Sequence, residues 1–346
     1  MSFHVTIKPG NHSFTVHDDE TILEAALREG LVIAYGCRNG ACGSCKGKVL
    51  AGSVDYGDYQ EHVLPEAEKA AGCALFCKAR PLSDLEIECR EISAAKGIPI
   101  RSMPARVQKI ERPTDDVVIV DLKLPVSERL RFLAGQYIDI VLKDGKRRSF
   151  SLANPPHDDT FLQLHIRNYG GSFSEYVFAR MKEKDILRFE GPLGTFFVRE
   201  DSERPILLLA SGTGFAPIKA IVEHLWRKGV ERPMTLYWGG RTRRDLYLAD
   251  LPRQWASEHP GFDYLPVLSE PRADDAWNGR TGLVHQAALD DFADLSDYQV
   301  YACGNPMMVE AAQHDFTTLR GLPPEQFYSD AFTPSVLPAT QALDTP

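Results

Sequence analysis

Three cysteines fall within nine residues, Cys37-Arg-Asn-Gly-Ala-Cys42-Gly-Ser-Cys45. This C-x4-C-x2-C spacing, with another Cys well downstream, is the thiolate pattern of a plant-type [2Fe–2S] cluster. A zinc ribbon would call for two C-x2-C units, and the chain holds one. Such a cluster is anionic and gains more charge on reduction, so it needs backbone N–H donors close by. Gly36, Gly40 and Gly43 let the backbone approach and take positive φ, and Ala41 and Ser44 leave room. The fourth thiolate is Cys73 or Cys77. They lie four residues apart, compatible with one helix face, and spacing does not choose between them. The thiol left over and Cys89 read as buried cysteines.

Seven Cys in 346 residues is an odd number, and the clustering suits metal binding in a reducing compartment better than a disulfide framework. The length predicts two or three domains. A net charge of −9 argues against nucleic acid as a partner. The first residues lack a basic stretch followed by an apolar one, and no apolar run approaches membrane-spanning length. The expectation is a cytoplasmic protein with no membrane insertion.

Residues 3–8 and 13–17 alternate as half-buried strands around Asn11 and predict a hairpin. Thr21 and Glu24 have capping-box spacing, and Gly30 is placed to end the helix they start. A short helix over Pro65–Ala71 and a strand over Leu85–Cys89 complete an α+β unit over residues 1–93, with 94–101 as a linker. Strand patterns over Ala105–Ile110, Val117–Leu122, Tyr137–Leu142, Arg148–Leu152 and Phe161–Ile166 predict an antiparallel β-barrel over 102–202, with one helix inserted over Ser174–Met181. At Ile206–Leu209 the pattern becomes a continuous apolar run, as in strands buried on both faces. Strands over Met234–Tyr237, Phe262–Pro266 and Gln299–Ala302 alternate with helices and predict a parallel α/β sheet over 203–332. Residues 333–346 carry Pro and no periodicity and predict a flexible tail.

Arg148-Ser149-Phe150-Ser151, Gly171-Ser172-Phe173-Ser174, Gly191-Pro-Leu-Gly194, Gly212-Thr213-Gly214-Phe-Ala-Pro217 and Cys303-Gly304-Asn-Pro306 occur in this order along the chain. The set resembles ferredoxin–NADP reductase-like iron–sulfur flavoproteins with an N-terminal plant-type ferredoxin domain. That group includes CDP-6-deoxy-Δ3,4-glucoseen reductases and the reductase components of bacterial oxygenases. The resemblance covers residues 3–332. It implies a β-grasp fold for the first domain, and Cys77-Lys-Ala-Arg-Pro81 resembles a ferredoxin ending that favours Cys77 as the fourth ligand, beside Cys37, Cys42 and Cys45.

The resemblance also implies FAD on the barrel. Arg148 would pair with the pyrophosphate, Phe150 would pack on the flavin, and Ser151 would lie by its reactive edge, with Ser149 in the same motif. Many relatives have Tyr where this chain has Phe150. Gly171, Ser172 and Ser174 would open a helix whose N–H groups face the pyrophosphate. Gly212, Thr213, Gly214 and Pro217 would form the nicotinamide-nucleotide turn, and Pro217 suits a first helical turn. Arg241, in Trp238-Gly-Gly-Arg-Thr-Arg-Arg-Asp-Leu-Tyr247, would meet the adenosine side. NADH is favoured, while adjacent Arg243 and Arg244 leave NADPH open, because Arg accepts a 2′-phosphate. Cys303 and Gly304 would lie near the nicotinamide, with Ser151 and Cys303 as the catalytic pair. Asp330 and Phe332 match the C-terminal segment near the flavin.

The expected function is an NAD(P)H-dependent reductase that passes electrons through FAD and the cluster to a separate electron-accepting protein, an oxygenase or dehydratase component. The alternative is an electron-transfer or redox-sensing subunit without efficient turnover. Residues 1–93 carry 14 Asp and Glu against nine Lys and Arg, which suits a basic docking surface on the partner.

Overall fold

A computed structural model describes residues 2–333 of the chain. The expectation of a flexible tail over 333–346 therefore falls, apart from Thr333, outside the described residues. The chain divides into two units, one holding residues up to Lys96 and the other running Gly97–Ala331.

In the first unit, β1 (Ser2–Lys8) and β2 (His12–His17) form the predicted hairpin. Helix α1 (Ile22–Arg28) follows, with Thr21 and Glu24 closing a reciprocal capping box, a device worth about 1 kcal/mol. Strands β3 (Lys46–Ala51), β4 (Val54–Asp55), β5 (Cys73–Leu75), β6 (Arg80–Pro81) and β7 (Leu85–Glu88) complete the unit, with α2 (Glu66–Ala70) before β5. The main sheet has the order β2-β1-β7-β3-β5; β1 and β7 run parallel and the other pairs antiparallel. Ile22, Leu23 and Ala26 of α1 bury their apolar stripe with Val5, Ile7 and Phe76 in one core.

The second unit has two lobes. The first is an antiparallel sheet in the order β11-β10-β13-β8-β9-β12, built from β8 (Arg101–Thr114), β9 (Val117–Lys123), β10 (Tyr137–Val141), β11 (Arg147–Ser151), β12 (Leu162–Arg167) and β13 (Ile186–Leu193). A bridge between Leu152 and Leu164 joins its two edges and closes the barrel. The inserted helix α3 (Ser172–Ala179) starts two residues earlier than the periodicity suggested, with Gly171 as its N-cap.

The second lobe is all parallel: β14 (Ile206–Ser211), β15 (Met234–Gly240), β16 (Phe262–Leu268), β17 (Arg280–Thr281), β18 (Gln299–Gly304) and β19 (Phe327–Ala331), in the order β17-β16-β15-β14-β18-β19. Helices α4 (Phe215–Arg227), α5 (Asp250–Glu258), α6 (Val284–Asp291) and α7 (Pro306–Leu319) connect them. Strand β19 was not foreseen. Its Phe-Tyr-Ser-Asp-Ala reads as no clear pattern, and only pairing with β18 makes it a strand. Strand order reverses at β14, flanked by β15 and β18. That puts a crevice outside the carboxyl ends of β14 and β18, where open parallel sheets bind ligands.

Candidate redox site

The cysteine loop departs from helix geometry at its fourth thiol. Cys73 lies on β5 opposite Lys48, while Cys77 lies in the turn after β5, so the two share no helix face. That turn is pinned from three sides. The Ile22 and Leu23 N–H groups, orphans of the first turn of α1, donate to Ala79 O and Phe76 O. Phe76 N donates to Cys45 O at 3.1 Å. Cys77 is thereby held against Cys45.

The thiols stand as two contacting pairs, Cys37 with Cys42 and Cys45 with Cys77, and Cys77 also feels the charge of Cys37. Among the described residues no three ligating side chains gather as a mononuclear site would require. Two pairs match the number of donors a binuclear cluster takes, two on each iron. The Cys37 thiol is pulled down to about 6 by its bond with Cys42, against burial, helped by the backbone N–H groups of Asn39, Ala41 and Cys42. These are the donors an anionic cluster needs. Gly40 and Gly43 take the expected positive φ, 79° and 75°, but Gly36 does not; Arg38 is the loop's other left-handed residue.

On the barrel, alternation along β11 separates the flavin-motif residues. Ser151 is buried, while Arg148 and Phe150 are half-buried. The Ser149 hydroxyl donates to buried Asp139 at 2.6 Å, so its hydrogen is spent within the barrel. Among the described residues, Arg148 Nη1 is tied to the Arg147 carbonyl alone, at 2.8 Å. Phe150 meets Phe173 of α3 with ring centroids 5.5 Å apart. Ser174 acts as a local cap, accepting from Gly171 N and donating to Gly171 O. The Ser151 hydroxyl donates to Asp330 of β19 at 3.3 Å, which joins the flavin motif to the C-terminal strand.

The crevice of the parallel lobe is built on close backbone approach. A Cβ on Gly214 would stand 2.1 Å from the Cys303 carbonyl oxygen, and one on Gly304 would stand 2.5 Å from that of Ser211. Only glycine permits the two turns to touch. The Trp238 indole donates to Gly212 O at 3.0 Å and stacks on Phe215 at 4.0 Å. Thr213 is buried, and Pro217 occupies the first turn of α4. Cys303 is fully buried opposite Asp330, and burial, with the charge of Asp330, pushes its thiol far up. Arg241 is exposed at the end of β15; its backbone N–H, like that of Thr242, donates to Asp245 at 2.9 Å. Phe332 lies just past the end of β19, outside the second unit.

Two buried residues of β12 escaped the sequence reading. Arg167 is 10% exposed and gives Nη1 to Asp245 at 2.8 Å. Its Nε and Nη2 are buried without a hydrogen-bond acceptor among the described residues, although Nε lies 3.5 Å from Asp116. A Cβ on Gly212 would come 3.3 Å from Arg167 Nη1. A buried guanidinium with orphan donors beside a glycine turn fits an acceptor-rich ligand such as a nicotinamide nucleotide. The second is His165. Its Nδ1 is 2.7 Å from the Tyr247 hydroxyl and its Nε2 is 3.3 Å from Gln163 Oε1. Gln163 spends its amide N–H on Asp121, so His165 donates from Nε2 and accepts the Tyr247 hydroxyl at Nδ1. Burial, with the nearby Lys219, pulls His165 down to about 3 and keeps it neutral. No signal in the strand pattern marks either residue, since both alternate as ordinary barrel positions.

Comparison with known proteins accounts for the three-part plan. Residues 5–82 match the 2Fe-2S iron-sulfur cluster binding domain, 104–198 the oxidoreductase FAD-binding domain and 208–314 the oxidoreductase NAD-binding domain. The chain is 42% identical to the CDP-6-deoxy-L-threo-D-glycero-4-hexulose-3-dehydrase reductase of Yersinia pseudotuberculosis, over 97% of this chain and all of that one. It is 34% identical to the phenol 2-monooxygenase reductase component of Pseudomonas sp., over 96% of each. Among solved structures, an Amycolatopsis cytochrome P450 reductase superposes with a TM-score of 0.80 at 34% identity, over 96% of this chain and 100% of that one. No described helix is long and apolar enough to cross a membrane. The chain belongs to the iron–sulfur flavoprotein reductases, oxidoreductases that pass electrons from a nicotinamide nucleotide through FAD to a [2Fe–2S] cluster and on to a partner.

Proposed function

We propose that this chain is the NADH-dependent reductase of a dehydrase acting on a CDP-linked 6-deoxyhexulose, and that Cys37, Cys42, Cys45 and Cys77 hold its cluster. The observation that carries the choice of partner is full-length identity. It reaches 42% with the Yersinia dehydrase reductase, against 34% with the phenol monooxygenase component and 32% with a terephthalate dioxygenase component.

When bound, FAD would supply hydride acceptance from the nicotinamide, and the cluster would supply single-electron transfer. The protein supplies position and charge. Arg148 would offer its planar fork to the FAD pyrophosphate, and the N-terminal turn of α3 at Gly171, Ser172 and Ser174 would offer it backbone N–H groups. Phe150, in contact with Phe173 of α3, would pack on the flavin ring. Asp330 accepts the Ser151 hydroxyl's hydrogen bond, so the Ser151 oxygen keeps lone pairs that would accept from a flavin N–H. Ser149, bonded to Asp139, braces this strand. On the nucleotide side, Gly212, Thr213, Gly214 and Pro217 admit the backbone of the coenzyme, and Arg167 turns its orphan N–H groups to it. Cys303 and Gly304 bound the nicotinamide pocket with a thiol that burial keeps protonated. Arg241 lies at the adenosine end.

Cluster-loaded, flavin-loaded protein is expected to reduce ferricyanide rapidly with NADH. It is further expected to sustain NADH-dependent turnover of a CDP-6-deoxyhexulose dehydrase and not of a phenol monooxygenase. Turnover of the monooxygenase alone would reverse the choice of partner. No diaphorase activity with either coenzyme would favour a redox-sensing subunit.

A further inference from the structure

The segment after β15 carries three arginines, Arg241, Arg243 and Arg244, at the place where a parallel sheet meets the adenosine ribose. A bare arginine cluster there would suit the 2′-phosphate of NADPH, a dianion well matched to guanidinium forks. In this fold two of the three are engaged. Arg243 Nη1 donates to the Asp275 carbonyl at 3.1 Å. Arg244 reaches across to the β8–β9 turn of the barrel. Its Nε and Nη2 lie 3.3 and 3.2 Å from Asp116 Oδ1, and its Nη1 lies 3.5 Å from Asp115 Oδ2.

Asp116 is itself held in place. Thr114 donates to its Oδ1 at 2.9 Å, and Arg167 Nε lies 3.5 Å from its Oδ2. Burial works to raise its carboxyl, but Thr114, Arg167 and Arg244 together hold it below the usual range. It stays ionised and keeps its grip on Arg244. Asp115 is 96% exposed and adds a second negative charge at the same spot.

Resting on the reading that the crevice takes a nicotinamide nucleotide, we propose that Asp115 and Asp116 set coenzyme choice by withholding Arg244 from the ribose position, which selects NADH over NADPH. A 2′-phosphate arriving there competes with two carboxylates for one guanidinium, while a 2′-hydroxyl does not need it. Arg241, exposed at the strand end, remains able to meet part of the phosphate charge, so discrimination is about tenfold rather than absolute.

The test is kcat/KM of the loaded protein for NADH and for NADPH, with ferricyanide as acceptor. Wild type is expected to favour NADH about tenfold. Asp115→Asn with Asp116→Asn is expected to improve the NADPH-to-NADH ratio about five- to tenfold, and adding Arg244→Gln is expected to abolish that gain. Arg167 also touches Asp116, but it serves both coenzymes, so its disturbance moves both and leaves the ratio. Asp115→Asn alone, at a fully exposed position, covers the case in which the acidic double variant fails to fold, and is expected to improve the ratio about twofold. The proposal is overturned if wild type uses both coenzymes equally, if the ratio stays put in the double variant or in Asp115→Asn, or if the gain survives Arg244→Gln. Failure to turn over with either coenzyme would instead overturn the reductase reading itself.

Discussion

Of the four thiols proposed to hold the cluster, three come from one nine-residue stretch and Cys77 comes from the turn after β5. The crevice of the second unit draws Ser151, Arg167, Gly214, Asp245, Cys303 and Asp330 from strands and turns spread over both lobes. A contiguous loop writes its chemistry into its spacing. A crevice assembled from distant segments writes little, because what matters is which side chains the sheets bring face to face.

The sharpest way to break this contrast is the one proposed ligand that is not local. Cys77→Ser is expected to abolish the visible cluster absorbance, whereas Cys73→Ser leaves it intact, because Cys73 is directed by strand β5 and Cys77 is held at Cys45. Flavin-dependent reduction of ferricyanide is expected to survive both. Loss of the cluster in Cys73→Ser with retention in Cys77→Ser would mean that the turn after β5 rearranges when the cluster is built.

The crevice offers a comparable test through its closest backbone approach. Gly214→Ala places a methyl where the Cys303 carbonyl already stands, and overpacking of this kind costs about 1–3 kcal/mol. A fall on the order of 100-fold in kcat/KM for NADH is expected, with the cluster spectrum unchanged. Retained activity would show that the β14 and β18 turns separate more readily than their packing implies.

The two regions were legible to different degrees for physical reasons. The capping box at Thr21, five of the six barrel strands and the buried run at Ile206–Leu209 follow from local pattern, and the structure has them there; β13 was not among the strands read. Strand β19 lacked any periodicity and exists through pairing with β18. Arg167 and His165 alternate like any barrel residues. Their importance comes from Asp245 and Tyr247, which lie about 80 residues away. Spacing also left Cys73 and Cys77 equal, because it supposed a helix where the chain makes a strand and a turn.

Arg167 gives a smaller effect. Arg167→Met keeps the length of the side chain and removes the orphan donors. The KM for NADH is expected to rise about tenfold, as for loss of one charge-assisted hydrogen bond, with kcat less affected. An unchanged KM would mean that the buried donors face only Asp116 and Asp245, and that the crevice is more local than it looks.

The mildest test concerns the buried strut from Tyr247 through His165 to Gln163 and Asp121. The folded pKa of His165 is about 3 against an ordinary 6.5, so below pH 6.5 the unfolded chain binds a proton that the folded one refuses. Unfolding is then favoured as pH falls. The stability carried by neutral His165 is complete above about pH 6.5 and is lost progressively toward pH 3, at about 1.4 kcal/mol per unit. His165→Gln keeps an acceptor for Tyr247 and removes the titration. All four tryptophans, Trp226, Trp238, Trp255 and Trp277, belong to the parallel lobe, so urea unfolding followed by their emission reports on this side of the strut. Between pH 7.5 and 5.5 the wild-type protein is expected to lose about 1.4 kcal/mol more than the variant. Equal losses would mean that His165 takes up its proton in the folded state, which would require water to reach the contact between the two lobes.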